Sequence, residues 1–195
     1  IDYLVRSTSF ASGICGDSTA MTYIGSNNYA SDTLLADGTW RAAIVASSYM
    51  TSVLTAIIPN MTSQTTPYGH TLHTSAASYH EAYLAMDGNN STYWESSGQN
   101  APTKSAVGYQ ATQAYRAYAC YVIGRNGVNT TYALQASNDG NTWTDLVPDT
   151  SFNTQTWFNF NAGTDFEYYR VYGCSDLTGN SNVVYTFQIY ARIDV

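Results

Sequence analysis

The side chains on which catalysis or metal binding would rest are few in this chain, and their spacing argues against both. Its 195 residues hold three histidines and 14 acids. His70 and His73 share an H-x2-H spacing, but a strand points residues three apart to opposite faces. With His80 they make no third close ligand of the right type, so zinc is not expected. There is no nucleophile elbow, no H-E-x-x-H helix, no phosphate-binding loop and no dinucleotide fingerprint. The carboxylate pair of a glycosidase meets only in space, and the acids here fall largely in turns, as do Asp87, Asp139 and Asp145. Two Asp-Gly turns stand out, AMDGNNSTYWES from Ala85 and QASNDGNTWTDL from Gln135. Each places an Asp, a Gly and an Asn before a Trp, a grammar suited to a tight turn held by Asx hydrogen bonds.

Composition narrows the class. Charged residues make up 11% of the chain, against about 25% in ordinary soluble domains. Tyrosine is abundant, with 18 copies, and Ser, Thr, Asn and Gly fill much of the rest. Such a surface suits an extracellular or virion protein, and it resembles the rigid-aromatic, adaptable-amide chemistry of paratopes. Most of the tyrosines are expected to serve simply as strand residues. The net charge of −7, with seven scattered basic residues, offers no basic stripe for nucleic acid or for an anionic membrane. No apolar run is long enough to span a bilayer. No cationic and apolar leader opens the chain, and Ile1 in place of Met points to a processed or trimmed start. Cys15, Cys120 and Cys174 are too few for a disulfide scaffold. They read as small buried apolar residues, in keeping with assembly in a reducing cytoplasm.

The elements that must position these turns are strands. From about residue 67 onward, short alternating runs are separated by turn signals. Strands are expected at Val107–Ala111, Ala117–Ile123, Thr131–Ser137, Trp143–Val147, Thr156–Phe160, Glu167–Gly173 and Val183–Ile193. Within Thr131–Ser137, Tyr132, Leu134 and Ala136 would share one face. Two sheets closing as an antiparallel jelly-roll β-sandwich is the economical solution, giving an all-β domain over residues 63–195. Trp94, Trp143 and Trp157 are expected to pack into it. Residues 1–62 differ. An Ala-rich helix is expected over Trp40–Ala56, capped by Asp37 or Thr39 and stopped by Pro59, with Ala42, Val45, Ala46, Tyr49, Val53 and Ile57 on its apolar face. Residues 1–34 read as an extended arm that docks on another subunit. This partly helical N-terminal extension is expected to serve assembly or attachment.

The two turns resemble the signature segments of discoidin-like domains, the factor 5/8 type C and carbohydrate-binding module family 32 group. There A-F-D-G-N-x-x-T-x-W-x-S is followed by S-N-D-G-x-x-W; here Met86 replaces the Phe. The resemblance implies a galactose-binding-like sandwich that recognises ligands without catalysis. It implies a structural Ca²⁺ held near Asp87, Asn90 and Thr92, although Thr186 stands where a Glu is expected on the last strand. It also implies a sugar site in loops at one end of the sandwich, here carried by Tyr79, His80, Glu81, Arg125 and Asn126. Ring stacking with Arg and carboxylate bonds to vicinal hydroxyls is the chemistry a saccharide needs. The segment over residues 35–67 is similar to one that precedes discoidin-like domains in structural proteins of tailed bacteriophages.

Together these readings point to a virion structural protein, of tail, fibre or capsid-decoration type. Its partners would be copies of itself, other virion proteins and host glycans. It would be assembled in the host cytoplasm and exposed on the particle. The alternative is a stand-alone carbohydrate-binding module of a bacterial secreted protein, and a hydrolase domain has the least support.

Overall fold

The computed structural model describes residues 7–73, 78–96, 105–125, 131–151, 154–173 and 182–192. Alternation of apolar and polar residues builds two antiparallel sheets that face each other across one core. The strands are β1 (Leu54–Ala56), β2 (His70–His73), β3 (Ser78–His80), β4 (Trp94–Ser96), β5 (Ala106–Tyr115), β6 (Ala117–Gly124), β7 (Thr131–Ser137), β8 (Thr144–Ser151), β9 (Gln155–Asn159), β10 (Phe166–Gly173) and β11 (Val183–Arg192). One sheet has the order β3-β4-β11-β6-β9, with β1 also paired to β11; the other runs β2-β5-β10-β7-β8. Arg116 alone separates β5 from β6, so the chain turns a corner between the sheets there. The expected all-β sandwich is what the chain forms.

Inward faces follow the period of two. Tyr132, Leu134 and Ala136 of β7 meet Tyr109, Tyr169, Phe187 and Ile189 in the core. Trp94 is buried there at 1% exposure. Trp143 and Trp157 behave otherwise than expected. Trp143 is only half-buried and lies over Arg170. Trp157 is 43% exposed, with Tyr121 and Tyr190 beside it at 4.9 and 5.1 Å. Both project from outer sheet faces: Trp157 alternates with Phe158, which packs against the core, and Trp143 stacks on Arg170.

The N-terminal segment is more helical than its sequence suggests. Instead of an extended arm it forms α1 (Thr8–Cys15), α2 (Ser18–Gly25) and α3 (Asn28–Ala36), followed by α4 (Gly38–Ala46). The caps explain the breaks. Asp17 accepts from the Ala20 N–H, Asn27 from Ala30, and Asp37 from Thr39 and Trp40. Each opens a helix with a side-chain oxygen. The expected helix over Trp40–Ala56 ends at Ala46, well before Pro59, and gives way to a 3₁₀ turn and β1. Its buried face is Trp40, Ala43 and Ile44, whereas Ala42, Ala46 and Tyr49 are exposed. Helices of eight or nine residues are marginal alone. Here they share an apolar cluster, with Met21, Leu35, Ile44 and Leu54 closing onto Tyr118 and Ala119 of β6. β1 joins the sandwich by pairing with β11, and Ile57, Ile58 and Met61 pack in the sandwich core, although all precede residue 63. Cys15 and Cys120 are buried free thiols; Cys174 lies outside the described residues.

Candidate functional site

The turn at Asp87 sets the edge of the site. Gly88 takes φ +76°, a left-handed conformation that favours glycine. The Asp87 Oδ1 accepts from the Asn89 N–H at 2.8 Å, and Oδ2 accepts from the Thr92 hydroxyl at 2.7 Å. The chain then enters β4 with Trp94 and Ser96 pointing inward. Alternation therefore turns Tyr93 and Glu95 outward. β4 pairs with the start of β11, Val183 opposite Glu95 and Val184 opposite Trp94. Val184 is in the core, so Tyr185 shares the outer face with Tyr93.

The result is an aromatic row. The His80 ring on β3 lies 4.4 Å from that of Tyr93, and Tyr93 lies 5.1 Å from Tyr185. Beside them Tyr93, Glu95, Arg125, Val183 and Tyr185 line a groove of about 240 Å³. Arg125 follows directly on β6 and is exposed. The groove thus combines ring faces and edges with one carboxylate acceptor and one guanidinium donor fork.

Of the residues expected here, His80 and Arg125 are brought to the same end of the sandwich. Glu81 does not line the groove, and its carboxylate accepts from the Gln64 amide. Asn126 and the side chain of Tyr79 lie outside the described residues. Tyr93, Glu95 and Tyr185 were not anticipated. The signal was available, since an inward Trp94 forces both of its neighbours outward.

The calcium expected near Asp87, Asn90 and Thr92 fits poorly. Both Asp87 oxygens already take protein donors. The Thr92 hydroxyl also reaches the Asn89 carbonyl at 2.8 Å. The Asn90 amide oxygen accepts from the Thr186 hydroxyl at 2.7 Å. Thr186 thus bonds directly to the turn where a Glu would have supplied a second carboxylate. One carboxylate among neutral oxygens is a weak match for a hard divalent ion. Among the described residues no three His, Cys, Asp or Glu side chains cluster. Burial pushes the Cys120 thiol far above its ordinary range, which suits an inert core residue and not a nucleophile.

A second polar cleft, of about 280 Å³, lies where the helices meet the sandwich. Its charges are matched internally, Arg116 with Asp165 at 3.1 Å and Arg192 with Asp32 at 3.2 Å.

Comparison with known proteins identifies the family and its fold. Residues 62–186 match the F5/8 type C domain, and the chain belongs to that family. No curated protein sequence is similar enough to match. Among solved structures, chitosan-binding module 1 of a chitosanase/glucanase from Paenibacillus sp. IK-5 is similar, with a TM-score of 0.57 and 18% identity; the match covers 70% of this chain and 99% of that one. CpGH89CBM32-5 from Clostridium perfringens, in complex with GalNAc-β-1,3-galactose, gives 0.53 and 16%, covering 70% and 100%. Chitosan-binding module 2 of the Paenibacillus enzyme, in complex with chitotriose, gives 0.53 and 22%, covering 63% and 96%. The chain thus has the fold of carbohydrate-binding modules.

Proposed function

We propose that this protein is a non-catalytic glycan-binding module whose saccharide site is the groove formed by His80, Tyr93, Glu95, Arg125 and Tyr185. The observation that carries the reading is the aromatic row with a carboxylate and a guanidinium at its flank. A pyranose offers an apolar C–H face to such rings, and its vicinal hydroxyls pair with the donor fork and the acceptor. The net charge of −7 disfavours polyanions and favours a neutral or weakly charged saccharide. A shallow groove buries little ligand, so single-site affinity is weak, and firm attachment comes from many copies acting together.

The sugar-binding relatives support this reading. Calorimetric titration and a glycan array test it. Tyr93→Ala and Arg125→Ala should each weaken binding at least about tenfold; the melting temperature stays within about 2 °C in Arg125→Ala, whose side chain is exposed, and falls by about 2–4 °C in Tyr93→Ala, whose half-buried ring packs on those of His80 and Tyr185. Binding that survives in both variants would refute the groove as the site.

We further propose that the module is a structural component of a tailed-phage particle. The resemblance of residues 35–67 to segments that precede such domains in phage fibres supports this context over a free secreted module. The helical layer over residues 8–46 would then make the contacts with copies of the chain or with other virion proteins. Antibody labelling of purified particles tests it: decoration at a fibre or capsid site is expected, and bare particles alongside free secreted protein would reverse the choice.

A further inference from the structure

The outer face of the β2-β5-β10-β7-β8 sheet carries a feature that the groove does not explain. The helical layer packs on the other sheet, through Tyr118 and Ala119, so this face is not covered by it. A flat sheet face gives no concavity, yet a trough of about 360 Å³ runs here. Its shape follows from residue size. The floor is Gly108 and Ala106 of β5. Gly108 admits nothing larger, because a Cβ there would lie 2.3 Å from the Tyr169 carbonyl oxygen and 2.7 Å from the Arg170 Cβ. Leu72 on β2 stands on one side, and Arg170 and Tyr168 on β10 stand on the other.

The charged wall is fixed before any ligand arrives. The Arg170 guanidinium lies 3.7 Å above the Trp143 ring. Its Nε donates to the Gln135 Oε1 at 2.8 Å, and the Gln135 amide donates in turn to Asp145 at 2.8 Å. One strand over, the Gln110 amide donates to Glu167 at 2.7 Å. Donor and acceptor groups thus alternate across the strands beside an apolar floor. Side chains held this way have little rotamer entropy left to lose on binding. Two acids outweigh the one cation, so the strip suits hydroxyls better than an anion.

We propose that this trough is a second saccharide site, separate from the groove, which takes a neutral pyranose against Leu72 and Gly108 and reads its hydroxyls with Arg170. The ligand class rests on the glycan-binding reading, but the location does not. Two sites on opposite sheets would let one module bridge two glycan chains or two points of one chain.

The full chain, labelled with ¹⁵N, is titrated with chitotriose, with GalNAc-β-1,3-galactose and with galacturonic acid while the indole and backbone amide signals are followed. Trp143→Phe assigns the Trp143 indole signal. The expected result is a saturable shift of that signal with a neutral sugar, retained in Arg125→Ala. In Arg170→Lys, which keeps the charge but loses the fork and the stack, the apparent affinity should fall about tenfold. Shifts at Tyr93 and Tyr185 with an unmoved Trp143 would overturn the trough and leave the groove standing. A Trp143 shift with unmoved groove signals would sustain the trough and remove the groove. A response to galacturonic acid alone, or to the amine-bearing chitotriose alone, would overturn the neutral-sugar assignment, and silence at both places with all three sugars would overturn both sites. The wild-type titration decides these outcomes even if a variant fails to fold.

Discussion

The two Asp-Gly turns have nearly the same local chemistry and opposite consequences. In both, the Asp accepts from the N–H two residues on, at 2.8 Å. In both, a Thr hydroxyl reaches the second carboxylate oxygen, at 2.7 Å from Thr92 and 3.1 Å from Thr142. Both glycines take positive φ, +76° at Gly88 and +70° at Gly140. Yet Trp94 is sealed in the core, while Trp143 folds back over the outer face, its indole N–H donating to the Gly140 carbonyl at 3.2 Å. The turn chemistry sets the bend. The distance from bend to ring sets the side of the sheet. Trp94 comes after a further loop and inside β4, whereas Trp143 comes directly after the bend and just before β8.

The largest effect expected from this contrast is on stability. Trp94→Ala should cost about 3–5 kcal/mol, the range for emptying a fully buried aromatic site, and should leave little soluble protein. Trp143→Ala should cost about 1–2 kcal/mol, since it loses a cation–π contact and partial burial. Urea midpoints give both numbers, and equal costs would erase the distinction between the turns. Next in size, Gly88→Ala and Gly140→Ala should each cost about 1–2 kcal/mol for a left-handed backbone with a Cβ. Gly88 should be the worse, because its Cβ would sit 2.7 Å from the Asn60 side chain, against 3.3 Å from Tyr168 at Gly140.

A smaller effect concerns pH at the second turn. The N–H groups of Thr142 and Asn141 and the Ser137 hydroxyl hold the Asp139 carboxyl far below the usual carboxylate range. A depressed folded value means stability that is present above about pH 4, the unfolded range, and lost as pH falls toward the folded value. Asp139→Asn should therefore flatten the decline in melting temperature below about pH 4; an unchanged acid limb would show that these bonds contribute nothing. The smallest effect concerns the other turn. Since Thr186 already satisfies Asn90, adding EDTA or millimolar Ca²⁺ should move the melting temperature by less than about 1 °C. A calcium-dependent rise of several degrees would show a bound ion and reverse the contrast.

Much of the fold was legible because it is written in local period. β7 begins and ends where its alternation does, and the two turn motifs sit where their glycines require. Strands β1 to β4 escaped, since three or four residues carry no period of their own and exist only by pairing. Helix α4 was read with its Asp37 cap though not with its early end, whereas α1 to α3 escaped for a related reason: helices this short show little periodicity, although Asp17, Asn27 and Asp37 recur every ten residues as caps. Of the groove, His80 and Arg125 were legible from their place beside the turn and after a strand. Tyr93 and Tyr185 meet only through the register that sets Val183 against Glu95. Arg170 and Trp143 are likewise joined by the sheet, and no spacing along the chain announces them.

The placing of β1 has a mechanical consequence. It pairs with the far end of β11, Leu54 opposite Arg192 and Ala56 opposite Tyr190, whereas the groove borders the near end at Val183 and Tyr185. Suppose the chain is held through its N-terminal segment and pulled at the groove. The load then runs along the strand axis and shears β1 against β11, so that the three residue pairs resist together instead of peeling one by one. A grip at the groove would be transmitted to the anchor in the direction in which so short a strand is strongest.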